Sequence, residues 1–270
     1  MLIWRRAAVG LLGVQQSSLT AVNPTLAATV HDPIGAFLPG LLRCRRALEQ
    51  TFGALCVLAT EQTSDEVVSC LQHELNAAVI RAPANGEVGR HRRDAVDLAR
   101  HTRSETVMYS DLDHVLRWVE AAPSELASVV TDRGHDLTVI GRTPRAMRAC
   151  PARLRETESV VNHIYALATG HEWDLMFAVR VMSPAAAAVV VDQATENTYA
   201  NDVEWPMIVE RAGLNVGYRE ADGLSYRIAR DFDAAVDVHD VDPLRWIERV
   251  AIANLHAQAV RRLLPAVTSP

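Results

Sequence analysis

The sequence has no C-x-x-C pair, no lysine-rich tract, no internal repeat and no low-complexity segment. Each absence removes a class of protein. Cys44, Cys56, Cys70 and Cys150 lack the paired spacing of a zinc site. They read as small buried residues of a reducing compartment, so a cytoplasmic protein is expected. The formal net charge is −6, which argues against a chain built mainly to bind nucleic acid. A local arginine cluster that binds phosphate is still compatible with it. No apolar run approaches the roughly 20 residues needed to span a bilayer. Peripheral association with a membrane stays open, and the sequence does not set an oligomeric state.

What is present describes a globular chain. Of 270 residues, 49% are hydrophobic and 22% charged, enough for a sizeable core and too apolar for disorder. Met1 to Val14 joins Arg5 and Arg6 to the short run from Ala7, which imitates a secretory signal. Gln15-Gln16-Ser17-Ser18 ends that run early. Residues 1–24 are therefore expected to be a loosely packed leader, or residues translated from an early start codon. Residues 25–270 read as one domain, because no convincing linker interrupts them.

Within that domain strands alternate with helices of about a dozen residues, the signature of parallel βαβ units. Strands are expected at Leu26–Val30, Ala54–Thr60, Ala77–Arg81 and Val107–Tyr109, with helices at Pro39–Phe52, Ser64–Leu75 and Val88–Arg103. The second half is less regular. Leu137–Ile140 and Leu214–Tyr218 read as strands. Pro123–Thr131, Arg153–Ala168, Ala185–Val191 and Asn201–Ala212 read as helices. Asp174–Ser183 fits strand and helix equally. Pro243–Leu264 is expected to be a long amphipathic helix whose apolar face includes Trp246, Val250, Leu255 and Val260.

The chemistry concentrates at Val107-Met108-Tyr109-Ser110-Asp111-Leu112-Asp113. Two carboxylates stand where a buried strand ends, and in an open α/β sheet ligands bind outside the carboxyl ends of the strands. Asp111 and Asp113 on one side of an extended backbone can hold a hard divalent cation and share it with substrate phosphates. The plainer alternative is that Asp111 caps the next helix and Asp113 is solvated. Arg142 and Arg145 flank a turn after another strand end, where they bind an anionic acceptor or pair with Glu156 and Glu158. His239 is a further candidate for a metal.

Three stretches resemble the glycosyltransferase A-type fold, most closely the family-two-like nucleotide-diphospho-sugar transferases. They are Tyr109-Ser110-Asp111-Leu112-Asp113, matching the D-x-D motif; the basic segment Gly86 to Arg93; and Asn201-Asp202-Val203-Glu204-Trp205-Pro206. The resemblance implies an α/β fold, with a single mostly parallel sheet flanked by helices. It implies transfer of a sugar from a nucleotide-diphosphate donor to an acceptor hydroxyl, assisted by Mg²⁺ or Mn²⁺ at Asp111 and Asp113. Asp32 and Glu61 would lie near the nucleoside, Arg90 and Arg93 near the phosphates. Asp202 would be the base of an inverting transfer. The asparagine of the family's basic segment is arginine or histidine here, and the second acid of the third stretch is displaced to Glu204. A non-catalytic nucleotide-binding member of the same fold is therefore a rival reading. A haloacid-dehalogenase-type phosphatase would want threonine at Val115. A nucleotidyltransferase would want a glycine-rich basic loop in place of His31-Asp32-Pro33-Ile34-Gly35.

Overall fold

The computed structural model describes residues 23–224 and 237–264. The expected leader, 1–24, lies almost wholly outside that range. Seven strands form one sheet in the order β3-β2-β1-β4-β6-β5-β7. They are β1 (Thr25–Val30), β2 (Ala54–Thr60), β3 (Ala78–Ala82), β4 (Val107–Asp111), β5 (Leu137–Arg142), β6 (Val179–Met182) and β7 (Val216–Ala221). Every pairing is parallel except the two made by β6, which runs antiparallel to both β4 and β5. The segment 174–183, on which periodicity was silent, thus holds a four-residue strand buried throughout. A strand buried on both faces has no alternation to read.

The first half follows the expected alternation. Helices α1 (Leu38–Thr51), α2 (Asp65–Ser69) and α3 (Val88–Arg100) connect the first four strands. Ser64 caps α2 by accepting from the Val67 amide. The expected helix 64–75 is only partly α. After α2 it widens into a single π turn at Cys70–Glu74, and Asn76 takes a left-handed backbone. After β4 come α4 (Leu112–Ala121) and α5 (Pro123–Val130), then β5 and a short α6 (Pro144–Arg148). The long α7 (Ala152–Thr169) ends at Gly170, φ 81°, the usual glycine stop. Then α8 (Pro184–Gln193) and α9 (Asn201–Arg211) precede β7, and α10 (Pro243–Leu263) closes the described chain.

One core layer packs α1, α2, α4 and α5 on one face of the sheet, with Leu41, Leu48, Val67, Val115 and Trp118 fully buried. The other packs α3, α8, α9 and parts of α7 and α10 on the opposite face, around Tyr109, Val96, Tyr165 and Trp205. The inner face of α10 differs from the expected one. His256, Ala259 and Val260 are buried, whereas Val250 and Leu255 are exposed. The helix is apolar on two sides, so a single apolar stripe misjudged which side meets the core. Among the described residues, no helix is long and apolar enough to cross a membrane.

Candidate active site

At the carboxyl ends of β1, β2 and β4 two adjoining cavities open, of about 450 and 550 Å³. Arg92, Asp111, His114 and Tyr199 line both, so they form the partition of one long cleft. The larger cavity lies over β1 and β2, with His31, Thr60, Gln62 and His91 in its wall. The other runs under α7 and α10, past Arg142, Glu158, Asp202 and Arg249.

Asp111 is the last residue of β4, level with Thr29 of β1. It precedes α4 but makes no side-chain cap. Its carboxylate turns inward. Oδ1 accepts from the Thr29 hydroxyl at 2.8 Å and from the Tyr109 hydroxyl, and Oδ2 accepts from Arg92 Nη2 at 2.7 Å. Burial pushes the Asp111 carboxyl up, but the Arg92 guanidinium, His114 and the two hydroxyls outweigh it and hold the pKa at about 2. Three of its roughly four acceptor directions are taken. Asp113, in the first turn of α4, keeps a half-exposed carboxylate at the mouth of the larger cavity.

The same arginine reaches the other side of the cleft. Arg92 Nη1 donates to Asp202 Oδ1 at 2.9 Å and to Asn201 Oδ1 at 3.1 Å. Burial works against the Arg92 charge, yet Asp111 and Asp202 more than restore it. Asp202 is buried too. Burial raises its pKa, while Arg92 and then His256 pull it below the ordinary range. Its Oδ2 lies 3.5 Å from His256 Nε2, and His256 Nδ1 lies 2.8 Å from the Ile252 carbonyl. A carbonyl only accepts, so Nδ1 carries a proton. Beneath them Arg180, fully buried, donates to the backbone carbonyls of Leu175, Val179 and Asp202.

Asp111, Asp113 and Asp202 therefore line one continuous cleft, while the other expected contacts are placed differently. Asp32 is buried and accepts from the Ala36 and Phe37 amides, shaping the β1–α1 loop. Glu61 is exposed, and its neighbour Gln62 faces the cavity. Arg90 pairs with Glu87 and Asp94 on the outer side of α3. Arg93 holds Ala194 O and Asn197 of the α8–α9 loop. Arg142 lines the cleft but is gripped by Asp174 at 2.7 Å and by Glu158. Arg145 is exposed and bound to Asp222. His239 lines the smaller cavity.

Of the partition, the sequence reading has Asp111 as a site residue but not Arg92, His114 or Tyr199. Arg92 shares the inner face of α3 with Gly89, Val96 and Ala99, a spacing that could have singled it out from Arg90 and Arg93. Nothing local marks His114, whose ring stacks on Phe177 at 4.1 Å. Phe177 in turn lies under the Arg142 guanidinium. Tyr199 and His256 arrive from remote segments.

Among the described residues, no three His, Cys, Asp or Glu side chains cluster closely enough to hold a metal ion alone. The donor set does fit a cation shared with a diphosphate. Asp113 offers an open carboxylate, Asp111 one remaining direction, and Mg²⁺ or Mn²⁺ commonly takes most of its oxygens from phosphates and water.

No protein-family model matches the chain, and no curated protein does. Solved structures do resemble it. Glucosyl-3-phosphoglycerate synthase from Mycobacterium tuberculosis in complex with phosphoglyceric acid is 13% identical, covers 91% of this chain and 81% of its own, with a TM-score of 0.56. The same enzyme with Mn²⁺, UDP-glucose and phosphoglyceric acid gives 0.55 at 13% identity over the same shares. A mycobacterial protein gives 0.58 at 14% identity, over 94% of this chain and 82% of its own. The fold of this chain is that of the glycosyltransferase A-type nucleotide-diphospho-sugar transferases.

Proposed function

We propose that this chain is a nucleotide-sugar-dependent glycosyltransferase, with the donor in the larger cavity and the acceptor in the smaller one. The observation that carries this reading is the single cleft at the strand ends, divided by Arg92, Asp111, His114 and Tyr199 into two halves of ligand size. Structures sharing the fold were solved with UDP-glucose, Mn²⁺ or Mg²⁺ and phosphoglyceric acid, which supports a nucleotide diphosphate donor and a divalent cation here. Asp113, assisted by Asp111, would hold that cation, and its chemistry is to neutralise charge on the departing diphosphate.

The chain's own residues then divide the work. Arg92 is fixed between two carboxylates, so its positive charge is already in place beside the transfer point. Asp202, ionised and on the acceptor side, is the base that takes the hydroxyl proton in an inverting reaction. The lining on that side carries five arginines, Arg92, Arg142, Arg153, Arg245 and Arg249, against four acids, Asp111, Glu158, Asp202 and Glu248, which suits an anionic acceptor, whereas Arg145 lies away from the cleft.

Arg92 holds one carboxylate oxygen each of Asp111 and Asp202, which favours a second reading, a member of this fold that binds nucleotide without turnover. Calorimetry with UDP and other nucleoside diphosphates, with and without Mn²⁺, tests the first step. Mn²⁺ is expected to bind tightly only with a nucleotide diphosphate present, and Asp113→Asn to lose that gain. No binding by any nucleoside diphosphate would defeat both readings. Binding without sugar transfer or donor hydrolysis would leave the second.

A further inference from the structure

We propose, on the transferase reading above, that His256 stores the proton that Asp202 takes from the acceptor hydroxyl. The two residues come from different helices, α9 and α10, and meet in the wall of the smaller cavity. Arg92 holds Asp202 Oδ1, which leaves Oδ2 to His256 Nε2 at 3.5 Å. The ring is fixed. It is fully buried, and its Nδ1 proton is donated to the Ile252 carbonyl, one turn back on α10, at 2.8 Å. In the neutral ring this tautomer turns the Nε2 lone pair toward the carboxylate.

Charge decides the resting state of the ring. Around Asp202, the guanidiniums of Arg92 on α3 and Arg180 on β6 are matched by the carboxylates of Asp111 on β4 and Asp202 itself. Further along the wall, Arg142 of β5 and Arg249 of α10 are matched by Glu158 of α7 and by Asp174. A third buried cation next to Asp202 would stand without a carboxylate of its own, which is costly. His256 is therefore neutral at rest, and no proton lies between Nε2 and Oδ2. Their separation of 3.5 Å, longer than the roughly 2.7–3.2 Å of an N–H···O bond, is what two facing acceptors leave.

In the transfer, the acceptor oxygen bonds to the anomeric carbon of the sugar. The bond from that carbon to the diphosphate oxygen breaks, and its electron pair stays on the diphosphate. The hydroxyl proton arrives at Asp202 Oδ2. Burial alone would raise the Asp202 carboxyl, but Arg92 pulls it below the ordinary range, so Asp202 holds a proton weakly near neutral pH. An imidazole nitrogen is by nature the stronger base, and a base works best with its pKa near the working pH. Handing the proton to Nε2 leaves an imidazolium that donates to an ionised Asp202, and Arg92 keeps its partner. When products leave, the proton returns through Asp202 to water in the emptied cavity. His256 touches no reacting atom and acts only through Asp202.

The test has two arms, both on the full chain. In ¹H–¹⁵N spectra at neutral pH, the wild-type His256 ring, assigned through its own side-chain carbons, is expected to be neutral with its proton on Nδ1. An imidazolium there, or a proton on Nε2, would overturn the proposal without touching the transferase reading. The second arm scores a panel of nucleotide sugars with Mn²⁺ for transfer to phosphoglyceric acid or to water. His256→Gln keeps an amide in the ring's place but cannot take a proton. It is expected to lose about 10²-fold or more in kcat, while UDP affinity by calorimetry stays within a few-fold. Wild-type kcat should decline with falling pH well before about pH 4, the region where Asp202 alone would titrate, and the variant should lack that limb. If His256→Gln does not fold, His256→Asn takes its place, and the spectra of the wild type decide in either case. A variant with the kcat and pH profile of the wild type would overturn the proposal alone. A wild type that turns over no donor would overturn the proposal and the transferase reading together.

Discussion

At the scale of single residues, the site turns on one guanidinium. Every one of the 27 basic side chains is an arginine, and arginine stays charged when buried, where lysine would shed its proton. Arg92 can therefore sit almost wholly out of solvent between Asp111 and Asp202. Its planar fork serves both carboxylates at once. This geometry sets what Asp202→Asn should do. As the base, Asp202 is expected to supply about 10²-fold or more of turnover, and donor affinity should stay within a few-fold in Asp202→Asn. The variant also removes one of the two charges facing Arg92, so the melting temperature should fall. A purely structural role would lower stability and donor affinity together and leave kcat of the folded fraction unchanged.

At the scale of elements, the first half of the chain was legible and much of the site was not. Four parallel strands and their helices follow from apolar runs and the Ser64 cap, because each signal is local. Asp111 ends its strand as expected for the same reason, whereas Asp113 lies in the first turn of α4 and not on the extended backbone. Arg142 and Arg145 drew equal attention at another strand end; Arg142 takes the alternative the sequence offered, a buried pair with Glu158, with Asp174 as a second partner, and Arg145 pairs with Asp222. Side-chain partners thirty to eighty residues distant leave no local trace. Gly89 shows how such contacts are built. Its amide donates to Asn197 O at 2.9 Å, and a Cβ there would lie 2.4 Å from Thr198 O and 2.6 Å from Glu196 O. The glycine lets the α8–α9 loop lie against α3 and brings Tyr199 over Arg92 at 5.7 Å. Gly89→Ala, harmless to a solvated helix, should cost about 1–3 kcal/mol by overpacking. Chemical denaturation measures that cost, and nucleotide affinity should drop with it as Tyr199 shifts.

At the scale of the whole molecule, the sheet gathers its buried acids into an acid-sensitive structure. Asp111 is held at about pKa 2, and Asp174 and Asp202 also lie below the ordinary aspartate value, each against burial and through a buried arginine. A depressed carboxylate adds stability that is full above the unfolded pKa of about 3.9 and disappears as pH falls through the folded one. Stability should therefore decline between about pH 4 and pH 2, and urea melts across that window should show it. Asp111→Asn should flatten the slope. The strand order sets a further condition, on how the molecule is made. Residues up to β4 can complete the 3-2-1-4 half-sheet with sequence-local units. Yet the outer edge of β4 finds its partner only in β6, which starts at Val179. At ribosomal speeds of about 5–20 residues per second, that edge waits roughly 3–14 s for its neighbour. An open, apolar strand edge is a template for pairing with other chains. The nascent protein should be most prone to aggregate, and most dependent on chaperones, in the interval between the emergence of Asp111 and that of Met182.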